Sequence, residues 1–140
     1  AALLHDIGLS RTFDSHEVPF EHAGGAVAAV LAAGAGWEES RRRHLAAAIV
    51  AHMADRPIPQ GGVEGELLDI ATGLDISGSR PGDLPADYVE TVLARHPRMD
   101  LRARFTALAE DQADRKPESQ AARLVRGGLA GKLAANPLER

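Results

Sequence analysis

The stretch Phe20-Glu21-His22-Ala23-Gly24-Gly25-Ala26-Val27-Ala28-Ala29-Val30-Leu31-Ala32-Ala33 decides the fold class. Phe20, Ala23, Val27, Val30 and Leu31 recur at three- and four-residue spacing, so a helix over 20–33 would carry them as one apolar stripe. Alanine fills much of the rest and favours helix over strand, and Gly34 and Gly36 stop the run. Upstream, residues 9–19 read as a loop ending at Pro19, and residues 1–7 as the end of a preceding helix closed by Gly8. Downstream, Glu38 to about Met53 reads as a helix with Leu45, Ala48, Ile49 and His52 on one face. Residues 55–62, with Pro57, Pro59, Gly61 and Gly62, form a loop. Helices are then expected over 63–77, 86–95, 100–114 and 118–133, with a loop from Gly78 to Pro85 and a break at His96-Pro97. No segment alternates apolar and polar residues as a strand would. The expected fold is all-α, and residues 1–140 are read as one domain.

The chain has 140 residues, 44% of them hydrophobic, enough for one core. It has no cysteine, which removes disulfides and thiolate metal sites from consideration. The formal net charge of -4 makes nucleic acid a poor partner, and no apolar run is long enough to span a bilayer. The basic run Arg41-Arg42-Arg43 reads as a solvated helix face. No basic region precedes the apolar N-terminal residues, so they are not read as a signal peptide, and the cytoplasm is the default location. The partner expected is a small-molecule substrate; a homo-oligomer stays open. The chain begins in apolar helical sequence without a cap, so residues upstream of Ala1 are expected in the full protein, N-terminal helix included.

Five residues are candidates for site chemistry: the pair His5-Asp6 and, on helical faces, His52, Asp75 and His22. His5 and Asp6 are adjacent at the polar end of Ala1-Ala2-Leu3-Leu4. An imidazole nitrogen and a carboxylate oxygen there can reach one divalent ion. His52 shares a face with Leu45 and Ile49 and is expected to point inward, as a core histidine or as part of a site. Asp75 falls on the face of Leu68 and Ala71, where a carboxylate needs a partner or a metal. His22 lies opposite the large-residue stripe, on a face with Ala26, Ala29 and Ala33 that is either solvated or a close helix contact. His16, His44 and His96 are read as surface residues. Histidine and carboxylate donors without thiols suit zinc first, then manganese or iron.

The string Leu4-His5-Asp6-Ile7-Gly8 resembles the signature of HD-domain metal-dependent hydrolases. In that family an upstream His, the adjacent His-Asp pair and a distant Asp bind the metal. The resemblance maps the pair onto His5 and Asp6 and the distant ligand onto Asp75, leaving the first His upstream of Ala1. Gly8-Leu9-Ser10-Arg11-Thr12-Phe13, Phe20-Glu21-His22-Ala23-Gly24, Ala48-Ile49-Val50-Ala51-His52 and Gly73-Leu74-Asp75-Ile76-Ser77-Gly78 look like segments of the cyanamide hydratase-like branch. Lys116-Pro117-Glu118-Ser119 and Asn136-Pro137-Leu138 also resemble that branch, so the likeness spans most of the chain. His22 departs from it, since that branch more often has an apolar residue there. In two-metal HD subfamilies a His near that place and one like His52 are ligands, so the resemblance offers His22 as a second-metal ligand.

The resemblance implies an HD-domain helical bundle and a metal-dependent enzyme that directs activated water at a small substrate. Water addition to a cyanamide or nitrile-like carbon is the activity expected. The alternatives are an HD-type phosphohydrolase of phosphomonoesters, phosphodiesters or nucleotides, and a degenerate HD module that binds or regulates. Asp6 is expected to accept a proton while holding metal, and His52 to orient or protonate the substrate. A phosphate site would want a cation beside the metal, and Arg11 is the candidate. Phe13 and Phe20 are read as core residues, with a pocket wall as the other possibility.

Overall fold

A computed structural model of the chain describes residues 1–56 and 59–139. Among these residues there are seven α-helices and no strand: α1 (Phe20–Gly34), α2 (Glu39–Ala51), α3 (Gly62–Ser77), α4 (Ala86–Arg95), α5 (Leu101–Arg115), α6 (Gln120–Arg126) and α7 (Leu129–Ala134). The protein is all-α. No described helix is long and apolar enough to cross a membrane. The loop expected over 55–62 includes residues 57–58, which lie outside the described residues.

Two expected helices are corrected. Residues 1–6 form successive turns closed by Leu4 N–H to Ala1 O (2.9 Å) and Ile7 N–H to Leu4 O (3.1 Å), leading into a 3₁₀ turn over Ile7–Leu9. Leu3 is almost wholly exposed and only Leu4 and Ile7 are partly covered, too little apolar burial to hold so short a segment as an α-helix. The single helix expected over 118–133 is two, α6 and α7. Gly127 closes α6, and Gly128 takes φ +81, a left-handed conformation open to glycine, from which α7 restarts in a new direction. Ser119 caps α6 by accepting from Ala122 N–H at 3.2 Å.

The α1 stripe is also corrected. Val30 and Leu31 are exposed, and the helix buries Phe20, Glu21, Gly24, Gly25, Ala28 and Ala32 instead. Small residues win because α1 packs closely on two neighbours. A Cβ on Gly25 would stand 3.2 Å from the Ala46 carbonyl of α2, and one on Gly24 would stand 3.2 Å from the His5 carbonyl. A Cβ on Gly8 would collide with the Phe20 carbonyl, so the N-terminal turns lie flat on the start of α1. On α2 the expected face is buried, with Ala48, Ile49 and His52 inside. Arg41 stacks on Trp37 at 3.7 Å and Arg43 pairs with Glu39 at 3.6 Å, both exposed as expected, whereas Arg42 is half-buried with its Nε shielded from solvent.

The core joins both halves of the sequence. Leu9 and Phe20 from the N-terminal part meet Phe105 and Ala109 of α5, Ala121 of α6, and Leu129 and Leu133 of α7. Burying a side chain such as Phe20, at 2% exposure, contributes roughly 1.5–3 kcal/mol. α1 packs on α2, α2 on α3, and α3 against α7, which brings the ends of α2 and α3 to one side of this core. α4 buries no residue.

Candidate metal centre

His5, Asp6 and His52 converge. One donor atom from each lies within 4.8 Å of the others, and no other described His, Cys, Asp or Glu residues form such a group. His5 and Asp6 arrive on the N-terminal turns that Gly8 allows to lie on α1. His52 caps the C-terminus of α2 with αR backbone, and its side chain turns inward at 5% exposure. The two imidazoles meet edge to face, with ring centroids 5.0 Å apart at 86°, and Phe20 backs His52 at 6.1 Å.

The hydrogen bonds fix both rings. His5 Nδ1 lies 2.8 Å from the Ala2 carbonyl, and His52 Nδ1 is in close contact with the Ile49 carbonyl. A carbonyl oxygen accepts only, so each Nδ1 carries the proton and donates it. Each neutral ring therefore presents an Nε2 lone pair. Both point at Asp6: His5 Nε2 is 3.4 Å from Oδ2 and His52 Nε2 is 3.7 Å from Oδ1. A metal-binding histidine characteristically donates its other ring N–H to a carbonyl or carboxylate, which sets the tautomer and ring orientation. Two imidazoles with their lone pairs turned to one carboxylate, none within ordinary hydrogen-bond length, fit a zinc-type divalent ion.

The electrostatics are mutual. Burial would raise the Asp6 pKa; when His5 and His52 are protonated, their Nε2–H groups and charges overcome it and lower it to about 2. Burial would lower His5, and the Asp6 carboxylate, the Ala2 carbonyl and the charge of Asp75 outweigh it, so its pKa is raised.

The trio opens on a cavity of about 350 Å³. Its floor is apolar, with Met53, Ile76, Leu101, Phe105, Leu124 and Leu129, and Asp69, Thr72, Asp75 and Lys132 add polar groups. Asp75 is thus on the cavity wall but outside the convergent trio. It does not face the core as the helical projection implied. It stands in the last turn of α3 with its side chain 52% exposed, and Arg98 pairs with its carboxylate. His22 is exposed on α1 and outside the trio. Arg11 is exposed and does not line the cavity. Phe20 is core and Phe13 is 41% exposed; the aromatic wall is Phe105. His44 bonds Gln60 O and Glu64 at 3.1 Å each, tying α2 to the start of α3.

Lys132, Asp69 and Arg98 were missed by sequence reasoning. Lys132 sits on α7, whose existence as a separate helix depends on Gly127-Gly128. Arg98 follows the His96-Pro97 break, and nothing local in the sequence links it to α3. No protein-family model matches the chain, and no curated protein matches it.

Proposed function

We propose that the protein is a metal-dependent enzyme of the HD type, using a divalent ion at His5, Asp6 and His52 to add water to a small neutral substrate of the cyanamide or nitrile class. The observation that carries the metal reading is the paired histidine geometry: both Nδ1 atoms spent on backbone carbonyls, both Nε2 atoms turned to Asp6. Asp75, on the wall of the same cavity, is the further ligand that the resemblance suggests. Zinc suits this donor set first, manganese or iron next, and such an ion when bound lowers the pKa of water and polarises an electrophile.

The residues themselves supply the rest. Asp6 has two oxygens and two imidazole neighbours, so one oxygen can accept a proton while the other stays engaged. His52 is rigidly held and borders the cavity with its Nε2 lone pair toward Asp6, which suits a ligand; the proton-donor role anticipated for it would require Nε2 to be protonated and free of the ion. Met53, Ile76, Leu101 and Phe105 exclude bulk water from one side of the cavity. Asp6, Asp69 and Asp75 outnumber Lys132 around the cavity, and this balance disfavours a multiply charged anion. One observation favours a phosphoester instead: Lys132 faces the cavity without an ion-pair partner among the described residues.

The test is zinc titration of the full-length protein, followed by turnover assays on cyanamide, aliphatic nitriles and a phosphodiester panel. The expected result is one ion bound, turnover of a nitrile, and loss of both ion and turnover in His5→Ala and Asp6→Ala. A chain that binds no divalent ion, or variants that keep full activity, would overturn the reading.

A further inference from the structure

Asp75 stands between two chemistries. It lines the cavity of His5, Asp6 and His52, and its charge contributes to raising the His5 pKa. It also lines a neighbouring cavity of about 450 Å³ beneath α4, and there its Oδ1 accepts from Arg98 Nη1. The same guanidinium donates from Nε to Glu139 Oε1 at 2.5 Å and from Nη2 to the Asp75 backbone carbonyl at 2.8 Å. Asn136 Nδ2 donates to that carbonyl at 2.7 Å and to Leu74 O at 3.3 Å. The backbone at Asp75 is therefore held by two donors that do not depend on its carboxylate.

This arrangement separates a fixed backbone from an exchangeable side chain. The Arg98 side chain is 9% exposed, so an unpaired guanidinium there would be costly. It would not be unpaired if Asp75 turned away, because Glu139, 19% exposed, and the Asp75 carbonyl would still hold it. One cation is shared between two carboxylates, and only one of those carboxylates borders the histidine pair.

We propose that Arg98 is a positioning residue that holds the Asp75 carboxylate away from the cation site and releases it when a divalent ion binds, with Glu139 as the counter-charge that keeps Arg98 in place. The inference rests on the reading of His5, Asp6 and His52 as a cation site. It adds a built-in competitor for the ion's fourth protein ligand, set by residues on the far side of α3. Arg98 and Glu139 oppose each other: Arg98 withdraws Asp75 from the ion, and Glu139 draws Arg98 away from Asp75.

Isothermal titration with Zn²⁺ on the full-length chain tests this, with circular dichroism to confirm folding of each variant. Arg98→Met should tighten Zn²⁺ binding roughly three- to tenfold by removing the competitor. Glu139→Gln should weaken it roughly threefold, because Arg98 then gives its whole charge to Asp75. In an Asp75→Asn background, both shifts should vanish. A purely structural salt bridge would move both variants in the same direction, or neither, and either result overturns the proposal. If Arg98→Met does not fold, Glu139→Gln and its double variant with Asp75→Asn decide the matter alone. A wild-type chain that binds no Zn²⁺ overturns the metal reading and this proposal together; binding that is indifferent to Arg98 and Glu139 overturns this proposal only.

Discussion

Asp6 and Asp14 lie eight residues apart in the same N-terminal segment, and the fold gives them opposite surroundings. Asp14 is enclosed by fixed partners. Gln112 Nε2 donates to Oδ1 at 2.7 Å, Arg115 Nη2 to Oδ2 at 2.5 Å, and Lys116 Nζ lies 3.5 Å from Oδ1 while also donating to the Ser15 and Val18 carbonyls. Burial would raise its pKa, but the Gln112 bond and the Lys116 and Arg115 charges bring it down. Asp6 is lowered too, yet its partners are two imidazoles that stabilise the carboxylate only when protonated and turn Nε2 lone pairs to it when neutral. Arginine and lysine are cations at any physiological pH, so the Asp14 cluster is complete by itself and serves to fasten the 10–19 loop to the end of α5. Imidazole is a ligand when neutral and a cation only when protonated, so the Asp6 cluster remains open to a proton or a metal.

That contrast breaks most visibly under substitution. Asp6→Asn should weaken Zn²⁺ binding by about a hundredfold or more, whereas Asp14→Asn should leave it within about twofold by titration calorimetry. Asp14→Asn should instead cost about 2 kcal/mol in urea denaturation, because Arg115 and the largely buried Lys116 lose their carboxylate. A large effect of Asp14→Asn on metal affinity would erase the distinction.

Acidity sharpens it next. The folded-state pKa of His5 is raised above its ordinary 6.5, so in metal-free protein its contribution is present below that value and fades as pH rises through the raised one. The folded-state pKa of Asp14 is lowered, so its contribution is lost only in acid and stays constant from about pH 6 to about pH 8. Asp6, at about 2 against an ordinary 3.8, likewise loses its contribution only as pH falls below about 4. Between about pH 6 and about pH 8, chelator-treated protein should therefore lose stability at this site. Zn²⁺ affinity should rise over the same interval, because the His5 proton must leave before Nε2 can bind an ion. Denaturation and titration at the two pH values check the opposite slopes.

The smallest expected effects are at the candidates that the fold leaves outside. His22→Ala and Arg11→Ala should leave Zn²⁺ affinity within about twofold and stability within about 0.5 kcal/mol, as for exposed side chains without packing roles.

Much of this molecule is legible in its sequence where the signal is local. Ala86–Arg95 coincides with its expected bounds, and α1, α2, α3 and α5 fall within a residue or two of theirs, because periodicity, proline and glycine act over a few residues. His52 is identifiable as inward because Ala48 and Ile49 share its face. Which face of α1 is buried is not legible in this way. Hydrophobicity points to Val30 and Leu31, whereas the small residues that let helices approach closely decide the packing. Asp75 illustrates the same limit: a helical projection gives its angle on α3 but not that Arg98 and Glu139 lie beside it.

The sequence by itself determined an all-α chain and the chemical types of a candidate site, since helix propensity and side-chain chemistry belong to individual residues and their near neighbours. Only the tertiary structure decided that His5, Asp6 and His52 share one point, that Lys132 borders their cavity, and that Asp75 is held by Arg98. Those juxtapositions join residues tens of positions apart. They arise from close packing of α1 on the N-terminal turns and of α3 on α7, a balance of contacts that no local pattern encodes.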